Sequence, residues 1–107
     1  MGWLRLYNSG VTQGVIGTMT DIQQCRIYDC GWSQANVDAF LADIYAHRAD
    51  FTYAAPTLQI GGTNAAPSGV YQNVTPPTTG KEYIFKLQTD PDNDFANHWV
   101  ITYTGSP

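Results

Sequence analysis

The carboxylates and histidines of this chain are the side chains whose types and spacing allow catalysis. Asp43 and His47 are four residues apart, so on a helix they can touch, and an Asp that orients a His is half of a hydrolytic triad. Because no serine or cysteine occupies a nucleophile-elbow pattern, a solvent-facing charge pair is the favoured interpretation. A glycoside hydrolase would instead need two carboxylates across a cleft about 5 to 9 Å wide. Its acids would be drawn from Asp29, Asp43 and Glu82.

Glu82 is the only glutamate of the chain, and it follows Thr79 by three residues. That is the spacing of a capping box, in which the two side chains close the start of a helix. The spacing therefore predicts a structural role for Glu82. The hydrolase alternative stays open, because a sequence does not show whether two carboxylates face each other.

The two cysteines do not form a metal-binding pattern. Cys25 and Cys30 are five residues apart rather than three, and no second pair or histidine cluster completes a zinc site. Structural thiols are the favoured interpretation, with a disulfide and a metal site as alternatives. On a straight strand the two side chains would start on opposite faces, so a bond would need a bend at Asp29.

Three aspartates, Asp90, Asp92 and Asp94, alternate as oxygen donors do in calcium loops. Phe95 stands where such a loop needs glycine, and Ile101 stands where it needs a bidentate glutamate. The spacing therefore favours ordinary solvated carboxylates at a helix end, with Lys86 as a nearby counter-charge. We expect His98 to be a partly buried turn residue. No cofactor and no metal are implied.

Composition narrows the class of protein. The 107 residues are 43% hydrophobic and 13% charged, with a net charge of −4, which suits one domain, 1–107, with a core and a weakly charged surface. The acidic balance disfavours nucleic acid and anionic membranes as partners. No apolar run reaches the roughly 18 residues of a membrane span, and the N-terminal segment does not read as a secretion signal. We expect no membrane insertion.

Three short segments align without gaps and predict strands in which two apolar residues alternate: LRLYNSGV, CRIYDCGW and LQIGGTNA. Their first apolar positions are Leu4, Cys25 and Leu58, and their second are Leu6, Ile27 and Ile60. A small or polar residue follows, at Ser9, Cys30 and Thr63. A last strand, HWVITYT, would place Trp99, Ile101 and Tyr103 on one face.

Helical patterns lie between these strands. A short or irregular helix is predicted over 11–22. A stronger one follows Ser33 as N-cap, with a stripe formed by Val37, Phe40, Leu41, Ile44 and Tyr45. A third begins after Thr79 and ends near Pro91. Alternating strands and helices predict parallel strands joined by right-handed crossovers.

The pattern of two alternating apolar positions followed by Cys or Asn resembles leucine-rich repeats, over about residues 3 to 65. The stretch from GGTNAAPSG to WVITYT is similar to the ends of repeat proteins of bacteria and their phages. The resemblance implies an α/β fold: a short right-handed solenoid of strand–helix units with parallel strands and a C-terminal cap. Residues 3–60 would be the repeat-like units, and 61–107 the capping loop, helix and final strand.

Outward strand positions are the predicted binding surface. Tyrosine and arginine are common where proteins bind partners, and repeat proteins commonly bind through the open face of the sheet. The resemblance implies a structural or recognition module of a phage or bacterial surface protein, with an extracellular or virion location favoured and a protein or glycan as partner. The predicted ligand-binding residues are Arg5, Tyr7, Arg26, Tyr28, Gln59 and Asn64. A small glycoside-hydrolase-like enzyme with paired carboxylates is the alternative.

The edge of the first strand bears on self-association. This strand begins at Trp3 or Leu4, with no earlier element in the sequence to cover it. Exposed strand edges invite pairing, so we expect a homodimer through this edge, or a longer repeat protein upstream.

Overall fold

The computed structural model describes residues 3–7, 22–53, 55–92, 95 and 98–104. For residues 3–7 and 28 it describes the backbone alone. Four strands and two helices lie in these ranges. In chain order they are β1 (Trp3–Tyr7), β2 (Gln24–Tyr28), α1 (Gln34–Ala46), β3 (Thr57–Ile60), α2 (Gly80–Thr89) and β4 (Val100–Tyr103). The predicted helix over 11–22 lies outside the described residues except for Ile22, which is buried.

The strands form one parallel sheet in the order β1-β2-β3-β4, so strands that follow one another in the chain are also neighbours in space. The register pairs Leu4 with Cys25, Cys25 with Leu58, and Leu58 with Ile101. The gapless alignment of the first three strands is confirmed, as is their common direction. The protein is a small α/β fold.

One face of the sheet is buried. Alternate residues of β2, β3 and β4 are buried because successive side chains of a strand point to opposite faces. The buried set comprises Cys25, Ile27, Leu58, Ile60, Ile101 and Tyr103. Residues between them are partly or fully exposed, up to 55% for Val100. The buried apolar side chains of both helices join the same hydrophobic cluster, so the helices cover this face.

Helix α1 follows its predicted pattern closely. The Ser33 hydroxyl accepts a hydrogen bond from the Asn36 backbone N–H at 3.2 Å, which caps the first turn. The residues buried from α1 are Val37, Phe40, Leu41 and Ile44. Phe40 meets Trp32 edge to face, with ring centroids 5.3 Å apart. Because the apolar stripe fixes which side of α1 meets the sheet, it also fixes how the chain returns from β2 to β3.

Helix α2 begins after Thr79 as predicted, but the capping box is wrong in detail. The Thr79 side chain makes no capping hydrogen bond. The Glu82 carboxylate instead accepts from the Thr78 backbone N–H at 3.0 Å and from the Gln72 side chain at 3.1 Å. Glu82 thus fastens the preceding loop to the helix, one residue earlier than a capping box would.

The cysteines are buried free thiols, which confirms the favoured interpretation and not the disulfide. Cys25 faces the core, and burial raises the pKa of its thiol to about 12. Asp29 adopts a left-handed backbone conformation, with φ at 56°. Because this turn reverses the alternation, Cys30 is buried like Cys25 although their separation is odd.

Candidate functional site

The face of the sheet opposite the helices carries the strongest set of candidate binding residues. The register pairs Arg5 with Arg26, Arg26 with Gln59, and Gln59 with Thr102. We call these four positions the central row. The row crosses all four strands at one level because parallel pairing with a constant alternation aligns equivalent residues. Three of the six predicted ligand-binding residues, Arg5, Arg26 and Gln59, are therefore brought to one line.

Two of the remaining predicted residues form a second pair. Tyr7 is opposite Tyr28 in the register of β1 and β2, two positions beyond the central row. The structure gives their backbone positions, which are adjacent at the carboxyl end of the two strands. The tyrosines and the central row therefore belong to neighbouring levels of the same sheet.

A pocket of about 500 Å³ opens where β3 and β4 end. Its walls are residues of the two strand ends and the loop after β3: Gln59, Gly61, Gly62, Thr102, Tyr103 and Thr104. In parallel α/β sheets the carboxyl ends of strands are the usual place for ligands. Gln59 is the one predicted residue that lines it, and it joins the pocket to the central row.

Asn64 serves the fold rather than the surface. It is only 2% exposed. Its side-chain oxygen accepts from the Trp32 backbone N–H at 2.9 Å, and its nitrogen donates to the carbonyls of Ile27 and Ile60 at 2.6 and 3.2 Å. Since all its polar atoms bind backbone, the predicted ligand contact of Asn64 is not supported. The alignment of the three segments predicts that Thr63 is the polar residue whose side chain holds the turn. In the structure the next residue, Asn64, has this role.

The turn beside the pocket is held by Asp29. Its carboxylate accepts from the Thr63 backbone N–H at 2.9 Å. Gly62 adopts a φ of 72°, and a Cβ on it would lie 2.0 Å from the Asp29 carboxylate. The position therefore needs glycine both for its conformation and for this close approach. Asp29 and Gly62 therefore fix the backbone of the turn that forms this side of the pocket.

The end of β4 and the residue that follows it are the part of the site that sequence reasoning missed. Thr102, Tyr103 and Thr104 line the pocket, and none of them was a predicted site residue. The predicted inward set of Trp99, Ile101 and Tyr103, which is confirmed, already implied that Thr102 points outward. The alignment of three segments did not include the last strand, so it gave no register between β3 and β4.

The three carboxylates of the hydrolase alternative are held by different groups. Asp29 binds the Thr63 amide, Asp43 lies 3.6 Å from the ring nitrogen of His47, and Glu82 binds residues of the loop before α2. Asp43 and His47 are in contact as predicted, but the hydrogen bond of the His47 Nδ1 is with the Asp43 backbone carbonyl, at 3.0 Å, and the carboxylate is farther away. The two residues lie at the C-terminal turn of α1, where His47 is the C-cap. Nothing in these contacts makes a pair of opposed acids.

The predicted counter-charge for the aspartates after α2 is present. Lys86 is 1% exposed, and its ammonium binds the Asp92 carboxylate and the Thr75 hydroxyl, each at 2.7 Å. The Asp90 side chain is only 3% exposed, so the prediction of a solvated carboxylate is wrong for this residue, and His98, 3.7 Å from that carboxylate and 51% exposed, is more exposed than predicted. Asp94 lies outside the described residues. Within the described ranges, no group of three or more His, Cys, Asp and Glu side chains is arranged to hold a metal ion.

In the part of the chain that the structure describes, neither helix has the length and hydropathy needed to cross a bilayer. No protein-family model matches the chain. The search of curated proteins finds no match, and neither does the search of solved structures.

Proposed function

We propose that this protein is a recognition module that binds a protein or glycan partner through the open face of its sheet. The observation that carries the proposal is the central row. Four strands present Arg5, Arg26, Gln59 and Thr102 at one level, with the pocket at the end of β3 and β4 directly beside it. A row of polar residues across adjacent strands next to a concavity suits a partner that contacts several strands at once.

The proposal includes a short right-handed solenoid similar to leucine-rich repeats. Its support is that the pairing of β2 with β3 continues into the turns that follow these strands. Ala65 donates its backbone N–H to the Trp32 carbonyl at 2.8 Å, at the same separation of 33 residues that the strands have. Gly31 donates its N–H to the Thr63 hydroxyl at 3.2 Å. Stacked turns of this kind are how neighbouring units of a solenoid join.

The C-terminal cap of this solenoid would be the loop 61–79 together with α2 and β4. The support is the packing of the loop on α2. Tyr71 meets Phe85 edge to face, with ring centroids 5.0 Å apart, and its hydroxyl donates to the side-chain oxygen of Gln88 at 2.9 Å. A cap needs a more polar outer face than a repeating unit.

We further propose that the protein is located at the surface of a phage or bacterium. We also propose that it forms a dimer through the β1 edge, and light scattering tests whether a dimer forms.

The experiment for the binding proposal is a screen of the purified chain against glycan and protein arrays, repeated with two charge-reversed variants. Arg26→Glu changes the central row. Lys81→Glu makes the same charge change on α2, on the helical side of the molecule, and suits the first turn of a helix. We expect Arg26→Glu to weaken binding at least tenfold and Lys81→Glu to leave it within twofold.

Two results would contradict the proposal. One is equal weakening by the two variants, which would indicate a general charge effect. The other is binding that survives Arg26→Glu and also survives Gln59→Ala. Circular dichroism of each variant shows whether the fold is retained, so loss of structure is not mistaken for loss of binding.

A further inference from the structure

We infer that the pocket at the end of β3 and β4 binds one neutral sugar unit of a glycan. This inference deepens the proposed function and rests on it, because the pocket belongs to the same open face. Its volume of about 500 Å³ lies within the range of about 300 to 1,000 Å³ that small-molecule sites occupy. A single saccharide with its bound water fits a space of this size.

The chemistry of the walls favours a neutral ligand rich in hydroxyl groups. None of the six lining residues carries a charge at neutral pH. The Gln59 amide offers both a donor and an acceptor, and the threonine hydroxyl oxygens offer acceptor positions, because the Thr102 hydroxyl donates its hydrogen to the Leu58 carbonyl at 3.5 Å and the Thr104 hydroxyl donates its own to the Asn64 carbonyl at 2.8 Å. Sugar hydroxyls can donate to these oxygens and can pair with either end of the amide. An apolar ligand would leave these polar groups without partners, at a cost in affinity.

The hydroxyl of Thr104 is already oriented by the protein. It donates to the Asn64 carbonyl at 2.8 Å, with the Gly62 carbonyl at 3.3 Å. Its hydrogen is therefore directed into the turn, and its oxygen is left as an acceptor for a ligand hydroxyl. Asn64 is itself buried and fixed by three hydrogen bonds, so this wall of the pocket is preorganised.

Anionic ligands are disfavoured by the walls of the pocket and by the carboxylate behind them. The Asp29 carboxylate lies against the Cα of Gly62, one of the lining residues, and the chain has a net charge of −4. The pocket has no lysine or arginine among its walls that could neutralise a phosphate or carboxylate. Discrimination between neutral and charged sugars of the same size therefore tests the inference specifically.

The test is a titration of the isotope-labelled protein, followed by amide chemical shifts, with four neutral probes and two charged ones. The neutral probes are the methyl glycosides of glucose, galactose, mannose and N-acetylglucosamine. The charged probes are glucuronic acid and glucose 6-phosphate. We expect at least one neutral probe to shift the amides of Gly61, Gly62 and Thr104, and to bind at least tenfold more tightly than either charged probe.

Two matched variants locate the site. Thr102→Tyr fills the pocket from an exposed position of β4 and keeps a residue that favours strands. Thr57→Tyr makes the same change on the outward side of β3, one level away, where its register partner is Val100. We expect Thr102→Tyr to abolish the shifts and Thr57→Tyr to preserve the affinity within twofold.

The outcomes separate this inference from the proposed function. The inference is wrong if none of the neutral probes shifts the pocket amides at 50 mM, a concentration on the order of ten times a weak millimolar Kd. It is also wrong if charged probes bind as well, or if Thr102→Tyr has no effect. In each of these cases an array partner that is lost with Arg26→Glu would leave the proposed function standing. If that partner is lacking as well, both proposals fail.

Discussion

The two helical crossovers of the described sheet bury different kinds of side chain. Helix α1, between β2 and β3, buries four apolar residues and no charged one. Helix α2, between β3 and β4, buries Ile84 and Leu87 in the core and also buries Glu82 and Lys86. The first helix packs on the sheet and also on α2, where Tyr45 meets Tyr83 with ring centroids 5.5 Å apart, and its Asp38 carboxylate accepts from the Ser68 backbone N–H at 3.0 Å. The second helix differs in that the loop 61–79 binds both of its buried charged side chains.

Strand register and the construction of the crossovers vary independently in this fold. The register offset between paired strands grows from 33 residues, Cys25 to Leu58, to 43 residues, Leu58 to Ile101. The alternation of buried and exposed positions nevertheless continues unchanged across all three strands. The buried apolar side chains of each helix, which we call its apolar half, pack in the core beneath the sheet. Helix α2 also has a polar half, formed by the buried side chains of Glu82 and Lys86, which bind the loop.

Removing a core side chain from either helix tests the shared apolar half and has the largest expected effect. Leu41→Ala in α1 and Leu87→Ala in α2 each empty a site with 0% exposure. We expect each to lower the free energy of unfolding by about 2 to 5 kcal/mol in urea denaturation. Val70→Ala, at a position 61% exposed, is the control and should change it by less than about 0.5 kcal/mol. A small loss for Leu87→Ala alone would mean that α2 depends mainly on its polar contacts.

Asn64→Ala tests the turn from which the longer crossover starts. The variant leaves the Trp32 N–H and the carbonyls of Ile27 and Ile60 without their partner in a buried turn. We expect a loss of about 1 to 3 kcal/mol, measured in the same denaturation experiment. Thr63→Ala is the matched control, since its hydroxyl accepts one bond at an exposed position. Equal losses for the two variants would contradict the central role of Asn64.

Lys86→Met breaks the polar half of α2 and keeps the apolar stem of the side chain. The lost contacts are the bonds to Thr75 and Asp92, and the second partner is 36% exposed, so water offsets much of the loss. We expect a loss of about 1 kcal/mol. Amide hydrogen exchange should become faster over 71–79 and remain unchanged in β2 and α1. Faster exchange throughout the molecule would show that the two crossovers are not separable.

The smallest expected effect is the pH dependence that Glu82 contributes. The Thr78 N–H and the Gln72 side chain donate to its carboxylate, and they hold its pKa below the ordinary value of 4.5. A depressed folded-state pKa means stability that is present above 4.5 and is lost as the pH falls through the folded value. We expect the Tm of Glu82→Gln to be below that of the wild type at pH 7, with the gap closing below pH 4.5. A gap that stays constant down to pH 3 would contradict this assignment.

Periodicity predicted the elements and their faces because it depends only on which residues must be buried. The inward positions Trp99, Ile101 and Tyr103 follow from it, as does the buried stripe of α1, in which Tyr45 alone is only partly buried. The N-cap at Ser33 follows from the residue type. The same alternation gave the register of the first three strands. These features need no knowledge of which elements are neighbours.

The turns and the pocket depend on backbone geometry that periodicity does not carry. Asp29 and Gly62 both adopt positive φ values, and this path brings Asn64 rather than Thr63 under the strands. The binding of Glu82 to Thr78 depends on how the preceding loop returns to the helix. The pocket needs Thr102 beside Gln59, which is a matter of strand order. Sequence spacing alone therefore identified one wall of the pocket and not the other.

The most direct test of the account is a set of cross-strand nuclear Overhauser effects in the labelled protein. Both proposals depend on β2, β3 and β4 being adjacent, parallel and paired as Arg26 with Gln59 and Gln59 with Thr102. The account predicts the staggered Hα-to-amide contacts of parallel strands across both pairs. Direct Hα-to-Hα contacts between these strands, or contacts that pair Gln59 with a residue other than Thr102 on β4, would contradict it.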